Sequence, residues 1–334
     1  IAEGLDAGIL DYSTNHKFCR ANFDYKTYLN ELIRKTPEPQ SSTLSLEVSE
    51  RPSISAIVPN YNYKKYLDSR LGTIANQKFP VKEIIFLDDC SRDGSCDKAR
   101  ELLESYDVDY TMILNESNSG SVNSQWLKGI KAAKSNWVWI AEADDYCEPT
   151  MLLELASIYE KNKEYNPSIC YCESFMVDEN GVVGATYLDY HKSIPEIFGE
   201  MFTDDFILGG IDFISNFLAV TNVIPNASAC MMRSSSLLSL PWDIILDFRL
   251  SGDWATYLYA SSHGSVAFRS KPLNYHRRHS NSVIHQSFRN INEIADEAKK
   301  LNGMAISLIE NSGQSQNNVL PRFSNWLDRI MHTR

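Results

Sequence analysis

Ala141-Glu142-Ala143-Asp144-Asp145 is a knot of carboxylates set directly behind the apolar run Trp137–Ile140. A short apolar run closed by adjacent acids predicts a buried strand delivering oxygen ligands to the rim of a sheet. Neighbouring carboxylates repel each other, and burying their charge unpaired is costly. A divalent cation relieves both problems, and Mg²⁺ or Mn²⁺ prefers one or two carboxylates plus substrate phosphate oxygens. The competing reading is a solvated loop whose acids cap the helix that follows Glu148-Pro149. Two more polar groups invite chemistry. Asp253 opens a helical stretch, and Asn274-Tyr-His-Arg-Arg-His279 combines guanidinium forks with imidazoles, which suits a diphosphate.

The elements that must position these groups alternate in type. Ser53 to Val58, Glu83 to Leu87, Tyr110 to Leu114 and Trp137 to Ile140 read as strands. Tyr63 to Gln77, Ser95 to Tyr106 and Val122 to Ala133 read as helices between them. This order predicts an α/β fold with a mostly parallel sheet flanked by helices, in which ligands bind at the carboxyl ends of strands. Pro59-Asn-Tyr-Asn62, Asp88-Asp89 and Asp144-Asp145 all fall at such ends, so three polar sites converge on one rim. The glycine-rich first turn of a dinucleotide fold is missing, which argues against a nicotinamide-dependent dehydrogenase.

The second half is less regular. Met151 to Lys161 reads as a helix, Ile169 to Val177 as a strand and Glu179-Asn-Gly181 as a hairpin turn. Helices are expected at Phe206 to Leu218 and Asp253 to Ser262, and the Asn274 cluster is expected to follow a short strand. Ile291, Ile294, Ala295, Ala298, Leu301, Ala305, Leu308 and Ile309 keep helical spacing. A last amphipathic piece carries Phe323, Trp326, Leu327, Ile330 and Met331; packing on its own domain or a neighbour competes with docking on a membrane surface.

Bulk properties narrow the field. The chain has 334 residues and a formal net charge of −11, which disfavours nucleic-acid backbones as partners but leaves nucleotides open, because a bound metal supplies positive charge locally. Seven cysteines without a C-x₂-C pair fit a reducing compartment. No apolar stretch is long enough to cross a bilayer. The first residue is Ile, consistent with a piece of a longer protein. Residues 1–50 are expected to be a helical appendage (Phe23 to Ile33) and a Pro-containing linker (Lys35 to Thr43). Residues 51–150 and 151–285 form the two halves of the main domain, and 286–334 a helical extension.

Ile57-Val-Pro-Asn-Tyr-Asn62, Leu87-Asp-Asp-Cys-Ser-Arg-Asp-Gly-Ser95 and Ala141-Glu-Ala-Asp-Asp145 together resemble the family 2 glycosyltransferases. These have the GT-A fold and invert the anomeric centre, and the resemblance runs from about residue 53 to 285. It implies an enzyme moving a sugar from a UDP- or dTDP-sugar to a glycan or lipid-linked acceptor, in cytoplasmic assembly of a bacterial surface polysaccharide, at the inner face of the membrane.

Residue by residue, the resemblance sets Tyr61, with Pro59, against the pyrimidine base; packing under the loop is the alternative for Tyr61. Asp89 accepts the imide N–H, while Asp88 orients the turn through Ser91 and Asp93. Asp145 binds the metal, Mn²⁺ or Mg²⁺, and Asp144 the ribose or the metal's water shell. The chain departs from the pattern at Glu142, where many members carry Asp and the extra methylene sets the carboxylate further out. Asp253 matches the catalytic base, against an ordinary N-cap. His279 is placed near the metal or leaving phosphate, and Arg278 near the diphosphate unless it pairs with surface acids. Asn226 and Trp242 shape the acceptor side; Trp242 reads equally as core. A catalytically inactive nucleotide- or glycan-binding module is the competing function.

Overall fold

The computed structural model describes residues 51–191, 200–278, 291–316 and 318–332, which belong to one compact unit. The appendage expected over residues 1–50, and His279, lie outside the described residues. The first half builds as its alternation requires. β1 (Ile54–Asn60), β2 (Glu83–Asp88), β3 (Asp109–Leu114) and β4 (Trp137–Ile140) pair in parallel in the order β3-β2-β1-β4. Between them run α1 (Leu67–Ala75), α2 (Ser95–Ser105) and α3 (Val122–Ala132), each bound within a residue or two of expectation except at the start of α1, where Lys64–Tyr66 forms a separate 3₁₀ turn.

β1, β2 and β4 are buried at every residue, as strands covered on both faces must be. On one face Ile54, Ala56, Val58, Ile84, Phe86, Trp137 and Trp139 meet Leu67, Leu71 and Ile74 of α1, Ala99 and Leu103 of α2, and Met151, Leu152 and Leu155 of α4 (Met151–Lys161). On the other face α3 presses so close that a Cβ on Gly129 would stand 2.4 Å from Ile57 Cγ2. Each fully buried Leu, Ile or Phe here contributes about 1.5–3 kcal/mol.

The second half extends the sheet with mixed strands. β9 (Cys230–Arg233) runs antiparallel between β4 and β6 (Pro167–Val177), and β10 (Ser265–Arg277) runs parallel to β6. The two-residue β5 (Tyr146–Cys147), directly behind the acidic knot, pairs antiparallel with Tyr275 and Asn274 of β10. β7 (Val183–Thr186) closes the expected hairpin on β6, with Gly181 at φ 85° in the turn. Two expectations need correcting. Phe206–Leu208 is not helical but a strand, β8, antiparallel to β10, and only Gly210–Phe213 and Ile214–Leu218 behind it are helical. Phe206 packs with Phe202, Phe213 and Phe268, so sheet packing overrides an ambiguous apolar run. The Asn274 cluster does not follow a short strand: Asn274–Arg277 are the last four residues of the thirteen-residue β10.

α5 (Gly252–Ser261) carries Asp253, and the long α6 (Ile291–Asn311) and α7 (Val319–His332) close the chain. Phe323 of α7 is buried, and Trp326 packs edge-on against Trp254 of α5. None of the described helices is long and apolar enough to cross a membrane. The six described cysteines are unpaired thiols.

Candidate nucleotide-sugar site

The rim is built first by the ends of β1 and β2. Asn60 donates its side-chain amide to Asp88 Oδ1 at 2.7 Å, and Asp88 Oδ2 accepts the Ser91 backbone N–H at 2.7 Å. Ser91 Oγ in turn accepts the Asn62 N–H, and Asp93 accepts N–H groups from Lys64 and Ser95. Asp88 is therefore a scaffold of the turn, as the sequence suggested. Asn62 and Cys90, at φ 58° and 65°, take the left-handed bends this tie demands. The ring beside Asn62, Tyr61, is 47% exposed, so it does not pack under the loop. Pro59 is buried within β1.

Asp89 stands one residue beyond Asp88, 5% exposed. Its Oδ1 accepts from Asn115 at 2.6 Å, from the Ser119 N–H at 2.9 Å and from Gln125 at 3.1 Å; among the described residues Oδ2 accepts only the Ser119 hydroxyl, at 2.8 Å. One lone-pair direction on Oδ2 is thus left for another donor. Asn115, Ser119 and Gln125 carry no signal in the sequence beyond being polar.

The acidic knot is held from below. Arg70, fully buried in α1, donates to the Glu142 carbonyl and the Ser228 hydroxyl, and its guanidinium lies 5.0 Å from the Trp139 ring. Glu142 accepts the Trp126 indole N–H at 2.9 Å. Burial, followed by the charges of Asp144 and Asp145, pushes the Glu142 carboxyl up to about 8. The same crowding, after burial, raises the Tyr63 hydroxyl well above its ordinary range.

Asp145 is 2% exposed; Oδ1 accepts the Arg277 backbone N–H at 2.8 Å and Oδ2 the Asn226 amide at 2.5 Å. Asn226 itself accepts from Asn274. Asn226, expected on the acceptor side, thus holds the Asp145 carboxylate with its amide. Arg277, in the same basic cluster, is structural. Its Nε donates to the Asp144 carbonyl and its Nη1 to the Asp178 carbonyl, while the guanidinium lies 4.6 Å from the Tyr66 ring. The β5–β10 pairing is what brings Arg277 there. Among the described residues no three His, Cys, Asp or Glu side chains are grouped to hold a metal ion. The neighbouring carboxylates of Asp144 and Asp145, with their mutual charge felt at Glu142, still fit the small set that Mg²⁺ or Mn²⁺ takes when phosphate oxygens complete it.

Asp253 lies in the first turn of α5, but the N-cap is Ser251, so the capping reading of Asp253 does not hold. Its Oδ1 accepts the Trp254 N–H at 2.7 Å and its Oδ2 stands 3.4 Å from the Asn222 amide. Burial, reinforced by Glu297, raises the carboxyl to about 6 against two backbone N–H groups and the Arg278 cation, which lower it. Trp242 is 8% exposed in a one-turn helix with its indole N–H on the Leu237 carbonyl, a packing residue rather than a sugar platform.

The sequence profile described as Glycosyl transferase family 2 matches residues 55–206. An uncharacterized glycosyltransferase of Haemophilus influenzae is 30% identical over 167 residues, 48% of this chain and 52% of that protein. Glycosyltransferase GlyG of Streptococcus pneumoniae is 25% identical over 252 residues, 70% of this chain and 74% of that protein. The chain spans about half the length of the Haemophilus influenzae relatives it matches, 42% and 52%. The crystal structure of S. aureus TarS 1-349 in complex with UDP superposes with a TM-score of 0.55 at 18% identity, over 83% of this chain and 71% of that one. That likeness is one of fold, the GT-A fold. Residues 55–206, which carry the three motifs on one rim of that fold, are thus similar to the glycosyl transferase family 2.

Proposed function

We propose that the chain is an inverting glycosyltransferase, moving a sugar from a UDP- or dTDP-sugar to a glycan or lipid-linked glycan hydroxyl, with Asp253 as general base. The observation that carries this reading is the end of β10. Arg277 gives its backbone N–H to Asp145, and Arg278, the next residue, interacts with the Asp253 carboxylate. A donor-side acid and a carboxylate that burial raises toward neutrality thus flank a single strand end. In the proposed step the acceptor O–H oxygen bonds to the sugar C1 as the C1–O(phosphate) bond breaks. The bonding pair leaves with the nucleoside diphosphate, the hydroxyl proton passes to Asp253, and a single displacement inverts the centre. Tyr61 offers its exposed ring to the base and Asp89 Oδ2 its remaining lone pair to the imide N–H. Asp144 and Asp145 would hold a divalent cation, which when bound neutralises charge on the diphosphate. Arg278 would add a forked donor beside it.

The test measures nucleotide release from UDP-glucose, UDP-galactose, UDP-N-acetylglucosamine and dTDP-glucose with Mn²⁺. Asp253→Asn should bind UDP as the wild type does and transfer ~10²–10⁴-fold more slowly. Near-wild-type kcat in that variant would remove Asp253 from the mechanism. UDP binding without release from any donor would favour the inactive binding module.

A further inference from the structure

We propose that Glu297, on α6 and beyond the family-matched segment, is a positioning residue for the general base: it fixes the chain entering α5 and so sets where Asp253 stands. The proposal rests on the assignment of Asp253 as base.

Glu297 is 7% exposed on the face of α6 that otherwise buries Ala295, Ala298, Leu301 and Ala305. Its carboxylate accepts three consecutive backbone N–H groups. Oε1 takes Arg249 at 2.8 Å and Leu250 at 3.3 Å; Oε2 takes Leu250 at 3.1 Å and Ser251 at 2.8 Å. Ser251 is the N-cap of α5 and makes no side-chain cap bond of its own, so the helix entry is anchored by a remote carboxylate. From the opposite side α3 closes on the same loop. Asn123 donates to the Phe248 carbonyl at 3.2 Å, and a Cβ on Gly252 would stand 1.9 Å from the Asn123 amide nitrogen. Residues 248–252 are pinched between Asn123 and Glu297, and Asp253 is the next residue.

An apolar side chain on α6 would fill this space but leave three N–H donors without acceptors. A carboxylate satisfies all three and also places a second negative charge toward Asp253. The groups facing Asp253 are Glu297 from α6, Arg278 from the end of β10, Cys230 from β9 and Tyr257 from α5 itself. Glu297 reinforces the effect of burial and Arg278 opposes it. The anchor therefore acts on both the place and the proton affinity of the base, which is how a supporting group tunes the group it holds.

The experiment uses the full chain with Glu297→Gln, its conservative partner Glu297→Asp, and Asp253→Asn alone and combined with Glu297→Gln. Glu297→Gln should lower kcat ~10–100-fold on the UDP-sugar that gives most release, with the calorimetric UDP Kd within about two-fold of wild type. Its acid limb should move to lower pH, and Glu297→Asp should recover both in part. A donor-independent readout is the thermal stabilisation caused by Asp253→Asn as a function of pH. In the Glu297→Gln background that stabilisation should be smaller and should level off at lower pH, its onset being fixed by the unfolded chain. Lower melting temperature with an unmoved acid limb and an unchanged size and plateau of the Asp253→Asn stabilisation would show Glu297 to be a general structural contact and overturn the proposal. Wild-type kcat in Glu297→Gln beside an inactive Asp253→Asn would overturn the positioning role alone. Full activity in Asp253→Asn would sink the base assignment itself.

Discussion

Replacing the proposed base should make the protein more stable, and only above a definable pH. Burial holds the Asp253 carboxyl at about 6 in the folded chain, against a usual 3.8. A carboxyl raised on folding binds its proton more tightly when folded, so ionising it opposes folding. The penalty is absent below pH 3.8, grows as pH rises to about 6, and is constant above that. At 1.36 kcal/mol per pH unit the rise corresponds to at most about 3 kcal/mol, and the partial exposure of Asp253 trims this through solvent screening. Asn keeps an oxygen for the Trp254 N–H but turns an NH₂ toward the Asn222 amide, costing about 1 kcal/mol. The balance is a gain of about 1–2 kcal/mol at pH 7–8, or roughly 2–6 °C in Tm for a unit of this size. Calorimetric scans of wild type and Asp253→Asn from pH 4 to pH 8 read it directly. A variant less stable than wild type at pH 8, or a difference that does not change with pH, would refute the reasoning.

Other outcomes follow from the remaining contacts. Asp145→Asn should abolish turnover and remove the Mn²⁺ dependence of UDP binding, measured by titration calorimetry with and without EDTA; full activity, or a wild type indifferent to excess EDTA, would remove the cation at Asp145. With Asp89 offering one lone pair to an imide N–H, UDP and dTDP should bind more tightly than CDP or GDP, and tighter GDP binding in the same assay would contradict that pocket. Gly252→Ala drives a methyl into Asn123 and should cost about 1–3 kcal/mol in urea unfolding together with a loss of kcat; an unchanged midpoint would show that the loop before Asp253 is not pinched.

The parallel half of the fold was legible because its signals are local. Apolar runs bounded by polar turns fix β1, β2 and β4, and parallel pairing carries Tyr61, Asp89 and Asp144-Asp145 to one rim whatever the rest of the chain does. The apolar run at Phe206 was not legible in the same way, since only a neighbouring strand, β10, decides that it is extended.

What the sequence by itself determined is therefore the parallel α/β block and which residues stand at its carboxyl ends. What only the tertiary structure decided is who holds them. Asn226 reaches Asp145 from 81 residues away, the Arg277 N–H from 132, and Glu297 reaches Arg249 from 48. A hydrogen bond over such a separation exists only because two strands or a helix and a loop end side by side. No periodicity, capping signal or turn residue near either partner encodes that adjacency; it follows from the order in which β4, β9, β6, β10 and β5 join the sheet and from where α6 packs.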